Sequence, residues 1–258
     1  MTLLAIDAGN AETSIGLFDG DELVADFVVA SDERRTSDEW FLVVEGFLRR
    51  SGLPEVDEIA MCCTVPALLV ALRRTYLRYY ENIPAWVVGP GVKTGVPIHT
   101  DNPREVGTDR IVNALAAKEL YGGPAIVVDL TGTATVVDAI DAEGRYLGGA
   151  IAPGVEVALD AIVRRSAQLR SVEITTPRDV IGKNTVEALQ SGIVFGFAGL
   201  IDAIVERMIE SLGEDPDDVS VIATGSHAAV VLTECETITA RDAKLTLQGL
   251  RLVAAKNR

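Results

Sequence analysis

The chain predicts a duplicated α/β protein, and three observations carry that reading. Residues 3–13 read LLAIDAGNAET, a short apolar strand that runs into an acid and a glycine turn. Residues 125–135 read AIVVDLTGTAT and repeat that pattern. Each copy continues through a second strand, an acidic turn (Asp19-Gly20-Asp21-Glu22, then Asp141-Ala142-Glu143-Gly144) and a third strand. Internal self-similarity at a fixed offset marks a repeated structural unit. Two similar lobes are expected, at 1–121 and 122–258, each a three-stranded meander with flanking helices, with the site in a cleft between the two glycine turns.

In the first copy, residues 3–6 are a short buried strand, 14–18 (SIGLF) a second and 23–29 a third. From 32 to about 51 the pattern is helical, because Trp40, Phe41, Val44, Phe47 and Leu48 recur on one face. A strand at 58–63 is ended by Thr64-Val65-Pro66 and followed by a helix over 67–80. The stretch TYLRYY at 75–80 reads as packing or dimer surface at that spacing, not as a nucleic-acid stripe. A strand at 85–88 leads into the loop Gly89-Pro90-Gly91-Val92-Lys93-Thr94-Gly95. Pro103 starts a helix with Asn102 as its cap; it carries Gly107, Asp109 and Arg110 and runs to about Tyr121.

In the second copy, strands fall at 125–128, 135–137 and 146–151. Helices follow at roughly 155–168, 184–211 and 245–256. A strand at 219–223 ends in Thr224-Gly225-Ser226-His227.

The 258 residues suffice for a sizeable core, and the formal charge of -15 argues against a nucleic-acid surface, which needs clustered cations. No apolar run reads as a membrane span, and no basic segment precedes the first strand as in a signal peptide. The cysteines Cys62, Cys63 and Cys235 are odd in number and include no CxxC, and His99 and His227 stand alone. Neither a disulfide framework nor a metal-cysteine site is implied, and a reducing cytoplasmic setting is expected. Cys62 and Cys63 read as core of a buried strand.

A strand-end aspartate beside a glycine often does no more than cap a turn. Two such turns facing each other offer backbone N–H groups to a polyphosphate from both sides. An acid on each holds Mg2+ or a monovalent cation, directly or through water. Anion cradle, cation and a base that orients the nucleophile are the parts of phosphoryl transfer. GxxxxGK[ST] is absent, so this is not a P-loop protein.

DAGN (7–10), GPGVKTG (89–95), DNPREVGTDR (101–110), VVDLTGTAT (127–135), GGAIAPGV (148–155), GKNTVEALQSG (182–192) and TLQGL (246–250) together resemble type III pantothenate kinases, a branch of the acetate and sugar kinase and actin superfamily. The motifs are collinear over nearly the whole chain. The resemblance implies duplicated actin-like (RNase H-like) lobes around a ligand cleft. It implies ATP-dependent phosphorylation of pantothenate, the first step towards coenzyme A. It implies Mg2+ or another divalent cation, K+ or NH4+, and a homodimer whose interface lies near the substrate site.

Residue by residue, the resemblance assigns Asp7, Gly9, Asn10 and Thr13 to the first nucleotide turn, with Asp7 on the metal side. Gly132, Thr133 and Gly225 fall on the nucleotide, and Asp129 near the monovalent cation. Asp109 matches the catalytic base, and Gly107, Arg110, Thr185, Gly91, Lys93 and Thr100 the substrate side, Thr185 reaching pantothenate across the dimer. Asp109 also reads as a first-turn helix acid that complements the dipole, Lys93 as solvated surface, and Asn184 as an ordinary cap.

The chain departs from the family within these motifs. Ala11 replaces a hydroxyl in the first turn and Glu12 adds a negative charge beside an anion site. Thr131 is an extra residue between Asp129 and Gly132 if Asp129 is the anchor. Thr100 stands where a tyrosine is usual, and Ser226 where a glycine faces the nucleotide. Two classes of function follow: an active pantothenate kinase with a modified nucleotide site, or a catalytically impaired relative that binds a partner or regulates.

Overall fold

A computed structural model describes residues 1–52, 55–166, 172–225 and 229–258. Ser226 and His227 therefore lie outside the described residues, as do the last two positions of the helix expected at 155–168.

The chain forms two compact units. The first comprises Met1–Val96, Asn102–Ala116 and Leu245–Arg258; the second comprises Pro97–Asp101 and Ala117–Lys244. The last segment thus belongs with the first strands, a membership that a division at 121/122 does not express.

In the first unit, β1 (Thr2–Ala8), β2 (Glu12–Asp19) and β3 (Glu22–Ala30) form an antiparallel meander. β4 (Glu58–Cys63) and β5 (Ala85–Val87) extend it in parallel, giving the order β3-β2-β1-β4-β5. Buried on both faces, β1 and β4 need continuous apolar sequence, and LLAI and IAMCC supply it. α1 (Ser37–Ser51) starts five residues later than the periodicity suggests. Thr36 and Glu39 form a capping box there: Thr36 Oγ1 accepts from the Glu39 N–H, and Glu39 accepts from the Thr36 N–H. Its buried stripe is Trp40, Val44 and Leu48, and Phe41 stacks on Tyr79 of α2 (Pro66–Tyr79) at 3.9 Å. The TYLRYY stretch is therefore largely packing.

α3 differs from expectation. Pro103–Glu105 is only a 3-10 turn, and Asn102 makes no capping bond; its amide donates to Glu105 Oε1. α3 proper runs Thr108–Tyr121, which puts Asp109 in its first turn. The turn and the helix are separated by Val106, whose backbone is extended (φ -72, ψ 124).

The second unit repeats the topology. β6 (Ala125–Asp129), β7 (Ala134–Ile140) and β8 (Tyr146–Pro153) form the meander. β9 (Ser220–Thr224) and β10 (Ala240–Arg241) add in parallel, giving β10-β9-β6-β7-β8. Strand for strand this is the arrangement of the first sheet, so the duplication read in the sequence is a duplication of fold. The helices are α4 (Val155–Arg165), α5 (Thr185–Leu212), the short α6 (Ala229–Thr233) and α7 (Leu245–Asn257).

α5 corrects the expectation about apolar runs. By length and composition it is apolar enough to cross a membrane. Its use here is a core helix: Ile193, Phe197, Ile201, Val205 and Ile209 recur every four residues and are buried in the second unit's core. Asp202, on the same helix, accepts from the Glu236 and Thr237 N–H groups at 3.0 Å each and so pins a loop.

Candidate active site

Parallel pairing of β1 with β4 sets Asp7 opposite Cys62 in register. The Cys62 thiol is fully buried and donates to Asp7 Oδ1 at 3.2 Å. Burial, then the charges of Asp7 and Asp109, push the thiol's pKa well above its ordinary value, so it stays a donor. That one thiol senses both carboxylates because the next element is tied to the same strand end. The Cys63 N–H donates to Thr108 Oγ1 at 3.3 Å, and this fastens the first residue of α3 to the end of β4. Asp109 follows directly, half-buried.

Gly107 is required by that arrangement. A Cβ built there would lie 2.4 Å from Asp109 Oδ1, closer than any real contact. The glycine leaves the volume that the carboxylate occupies. Arg110, the next helical residue, is half-buried.

α3 is seated from behind by the TLQGL motif. Thr246 donates to Asn113 Oδ1 at 2.8 Å in a buried pair. A Cβ on Gly249 would come within 2.4 Å of the Val112 carbonyl, so the glycine permits the close crossing of α3 and α7. The motif therefore acts through the helix that carries Asp109.

Gly9 closes the first glycine turn, its N–H donating to the Glu12 carbonyl at 3.0 Å. Asn10 and Ala11 are exposed at the turn's tip. Thr13 is fully buried and its hydroxyl is spent on Ser31 Oγ at 2.9 Å. By strand alternation Glu12 shares a face with Ser14, the residue opposite Asp7. The extra acid is thus on the Asp7 side of the sheet.

Gly91 and Lys93 lie on the loop after β5. The Lys93 N–H and carbonyl are both bonded to the Asn257 side chain at 3.0 and 2.8 Å. Gly91 has φ +95, which favours glycine. That anchor lies at the far end of α7 from Thr246, roughly 16 Å along the helix, so the loop and Asp109 are held by opposite ends of one element.

In the second unit, Asp129 is buried at the end of β6. Its Oδ1 accepts from both the N–H and the hydroxyl of Thr131, at 2.9 and 2.6 Å. The extra residue is absorbed as an aspartate turn. Thr131 and Thr133 are exposed, with Gly132 between them at φ +117. Beneath them the Gly154 N–H donates to the Thr133 carbonyl at 3.1 Å. A Cβ on Gly154 would meet the Gly132 carbonyl at 2.0 Å, and one on Gly225 the Leu130 carbonyl carbon at 2.7 Å. Gly225 is therefore a packing glycine under the turn.

Thr100 sits beside Gly148 on the edge of β8, its hydroxyl buried without a hydrogen-bond partner. Thr185 is exposed at the start of α5, behind Asn184, which caps the helix by accepting from the Glu187 N–H at 3.0 Å. Within the first unit, then, Asp7, Gly107, Asp109 and Arg110 gather at the ends of β1, β4 and the start of α3. Within the second, Asp129, Gly132, Thr133 and Gly225 gather at the end of β6. Sequence reasoning missed Cys62, Ser31 and Thr108 as supports. Thr108 lies within the 101–110 motif, while Cys62 lies outside every motif, and only the tertiary structure shows what each touches.

The Asp7 carboxylate is a hard oxygen donor of the kind a divalent cation takes, the remaining ligands coming with a phosphate chain. Among the described residues no group of three His, Cys, Asp or Glu side chains stands together as a resident metal cage.

A family model for type III pantothenate kinase matches residues 3–207. A type III pantothenate kinase of Thermobifida fusca is 55% identical over 99% of this chain and 99% of its own length. One from Streptomyces coelicolor is 54% identical over 99% of this chain and 98% of its own. Among solved structures, a Baf family transcriptional activator from Campylobacter jejuni, described as conserved and putative, aligns with TM-score 0.61 at 19% identity over 98% of each chain. A ROK hexokinase from Thermus thermophilus aligns with TM-score 0.55 at 16% identity over the full length of both. At such identities these two structures speak for the fold alone.

Proposed function

The chain belongs to the type III pantothenate kinases, and we propose a division of labour among its residues. It is a phosphotransferase that converts pantothenate to 4'-phosphopantothenate in coenzyme A biosynthesis, with ATP as co-substrate. Asp109 is the base. It takes the proton of the pantothenate hydroxyl while that oxygen bonds to the γ-phosphorus and the bond to the β,γ-bridging oxygen breaks, releasing ADP. The observation that carries this is the glycine at 107, which clears the volume of the Asp109 carboxylate. Arg110 receives the pantothenate carboxylate, for which a planar guanidinium is suited. Gly91, Lys93 and Thr100 line the substrate side, where the buried hydroxyl of Thr100 supplies a polar group.

The turn at Gly9 and Asn10, braced by Thr13, binds phosphate oxygens through N–H groups, and Gly132 and Thr133 do the same in the second unit. Asp7 holds Mg2+, directly or through water, and Asp129 attends a K+ or NH4+ ion; these cations neutralise phosphate charge. The protein works as a cytoplasmic homodimer, with Thr185 presented to the partner's pantothenate. The exposed side chains of Val180, Ile181 and Val186 around Thr185 support this, since such apolar surface suits an interface. The boundary at 121/122 is proposed as the border between the two sequence repeats.

The test is direct measurement of 4'-phosphopantothenate from purified protein with pantothenate, ATP and Mg2+, with and without K+. Product that depends on K+ is expected. A folded protein that forms none over a wide ATP range refutes the proposal and favours the non-catalytic relative.

A further inference from the structure

The first glycine turn is braced by a residue outside every motif. Ser31 is the first residue after β3. Its hydroxyl donates to the Gly9 carbonyl at 2.7 Å and stands 2.9 Å from Thr13 Oγ1. Its own N–H donates to the Ala11 carbonyl at 2.9 Å. Two carbonyls of the turn are thus drawn to one residue on its inner side.

This has a consequence for the outer side. In a trans peptide the carbonyl and the following N–H point in opposite directions. The Gly9–Asn10 bond is trans. Drawing the Gly9 carbonyl towards Ser31 therefore aims the Asn10 N–H away from Ser31, at the exposed tip of the turn. An outward backbone N–H on a glycine turn is a donor for an anion. The Ser31 hydroxyl is itself occupied by Gly9 and Thr13, so it acts through the backbone.

We propose that Ser31 is the positioning residue of the nucleotide turn, holding the Gly9 carbonyl so that the Asn10 N–H faces the phosphates of ATP. The inference rests on the kinase reading. Replacing Ser31 by alanine keeps its N–H bond to Ala11 and removes only the hydroxyl's hold on Gly9 and Thr13. The turn then samples other peptide orientations before ligand arrives, and binding must select the right one.

The test compares wild type, Ser31→Ala and Ser31→Thr by calorimetric titration with a non-hydrolysable ATP analogue and Mg2+, followed by steady-state kinetics. The alanine variant is expected to bind the analogue about five- to tenfold more weakly, the effect of losing the bond that orients the Gly9 carbonyl. Its KM for ATP should rise by the same factor, while kcat and the KM for pantothenate stay within about twofold. The threonine variant, which keeps the hydroxyl, should behave as wild type. Unchanged analogue affinity in the alanine variant overturns the proposal, as does a parallel loss for ATP and pantothenate. Wild-type protein that binds the analogue yet forms no product refutes the kinase reading, and the binding series then decides the role of Ser31 alone. Wild-type protein that binds no analogue overturns the role of Ser31 as well.

Discussion

Asp109 and Cys62 illustrate what a single side chain does at the site. Asp109→Asn keeps the shape that Gly107 accommodates and removes the proposed proton acceptor. We expect turnover to fall by about 10²- to 10⁴-fold with the melting temperature unchanged; near-normal product formation would rule out the base. Cys62→Ala removes the thiol that holds Asp7, and kcat/KM should fall by roughly fivefold, whereas Cys62→Ser retains a donor and most of the activity. Equal loss in both variants would reduce Cys62 to core filling. The sequence singles out Asp7, Asp109 and Arg110 because each sits in a short motif of fixed spacing, and the structure places Asp7 at the end of β1 and the other two at the start of α3. Cys62 was read as core, because the sequence shows an apolar strand and not which strand lies beside it; the Asp7–Cys62 register is a tertiary fact. Thr13 was assigned to the nucleotide for its place in the motif, and the structure gives its hydroxyl a partner in Ser31.

Elements place these side chains, and their ends matter more than their lengths. The start of α3 was expected at Pro103, since proline is favoured in a first helical turn, but the helix starts at Thr108, whose hydroxyl is tied to Cys63. Both α6 and β10 went unread, being five and two residues long and lacking a periodicity. The α3–α7 crossing yields a prediction. Gly249→Val forces a side chain against the Val112 carbonyl and should destabilise by about 1–3 kcal/mol. Calorimetric melting would detect this, and kcat should fall as Asp109 moves; unchanged melting would mean the crossing is looser than described. The turn after β7 gives a pH dependence. Burial raises the Asp141 pKa, but hydrogen bonds from the Arg145 N–H and guanidinium outweigh it and hold the carboxyl below its usual 3.8. A lowered folded pKa stabilises above the unfolded value and is lost as pH falls through the folded one. The melting difference between wild type and Asp141→Asn should therefore be full near neutrality and vanish in acid below the folded pKa. A difference that persists there would refute the ion pair as its source.

For the whole molecule, the duplicated topology was the most legible property, because strand, acid, glycine turn and strand recur in order. The proposed homodimer makes a prediction at this scale. Ile181→Asp places a charge on the exposed apolar patch beside Thr185 and should yield a monomer by sedimentation. Its KM for pantothenate should rise while its KM for ATP changes little; a stable dimer with wild-type kinetics would move the interface elsewhere. Less legible was the membership of α7, whose distance from β1 along the chain hides their packing. That membership bears on the order in which the protein is made. A ribosome delivers the strands that carry Asp7 and the helix that carries Asp109 early, and the Cys63–Thr108 bond can tie that helix to β4, yet its packing against α7 waits until Leu245 and the residues after it emerge. The repeat of the fold is by then complete, so the unit begun first is finished last. A nascent chain halted before Leu245 should have a closed second sheet and a first sheet still exposed to chaperones.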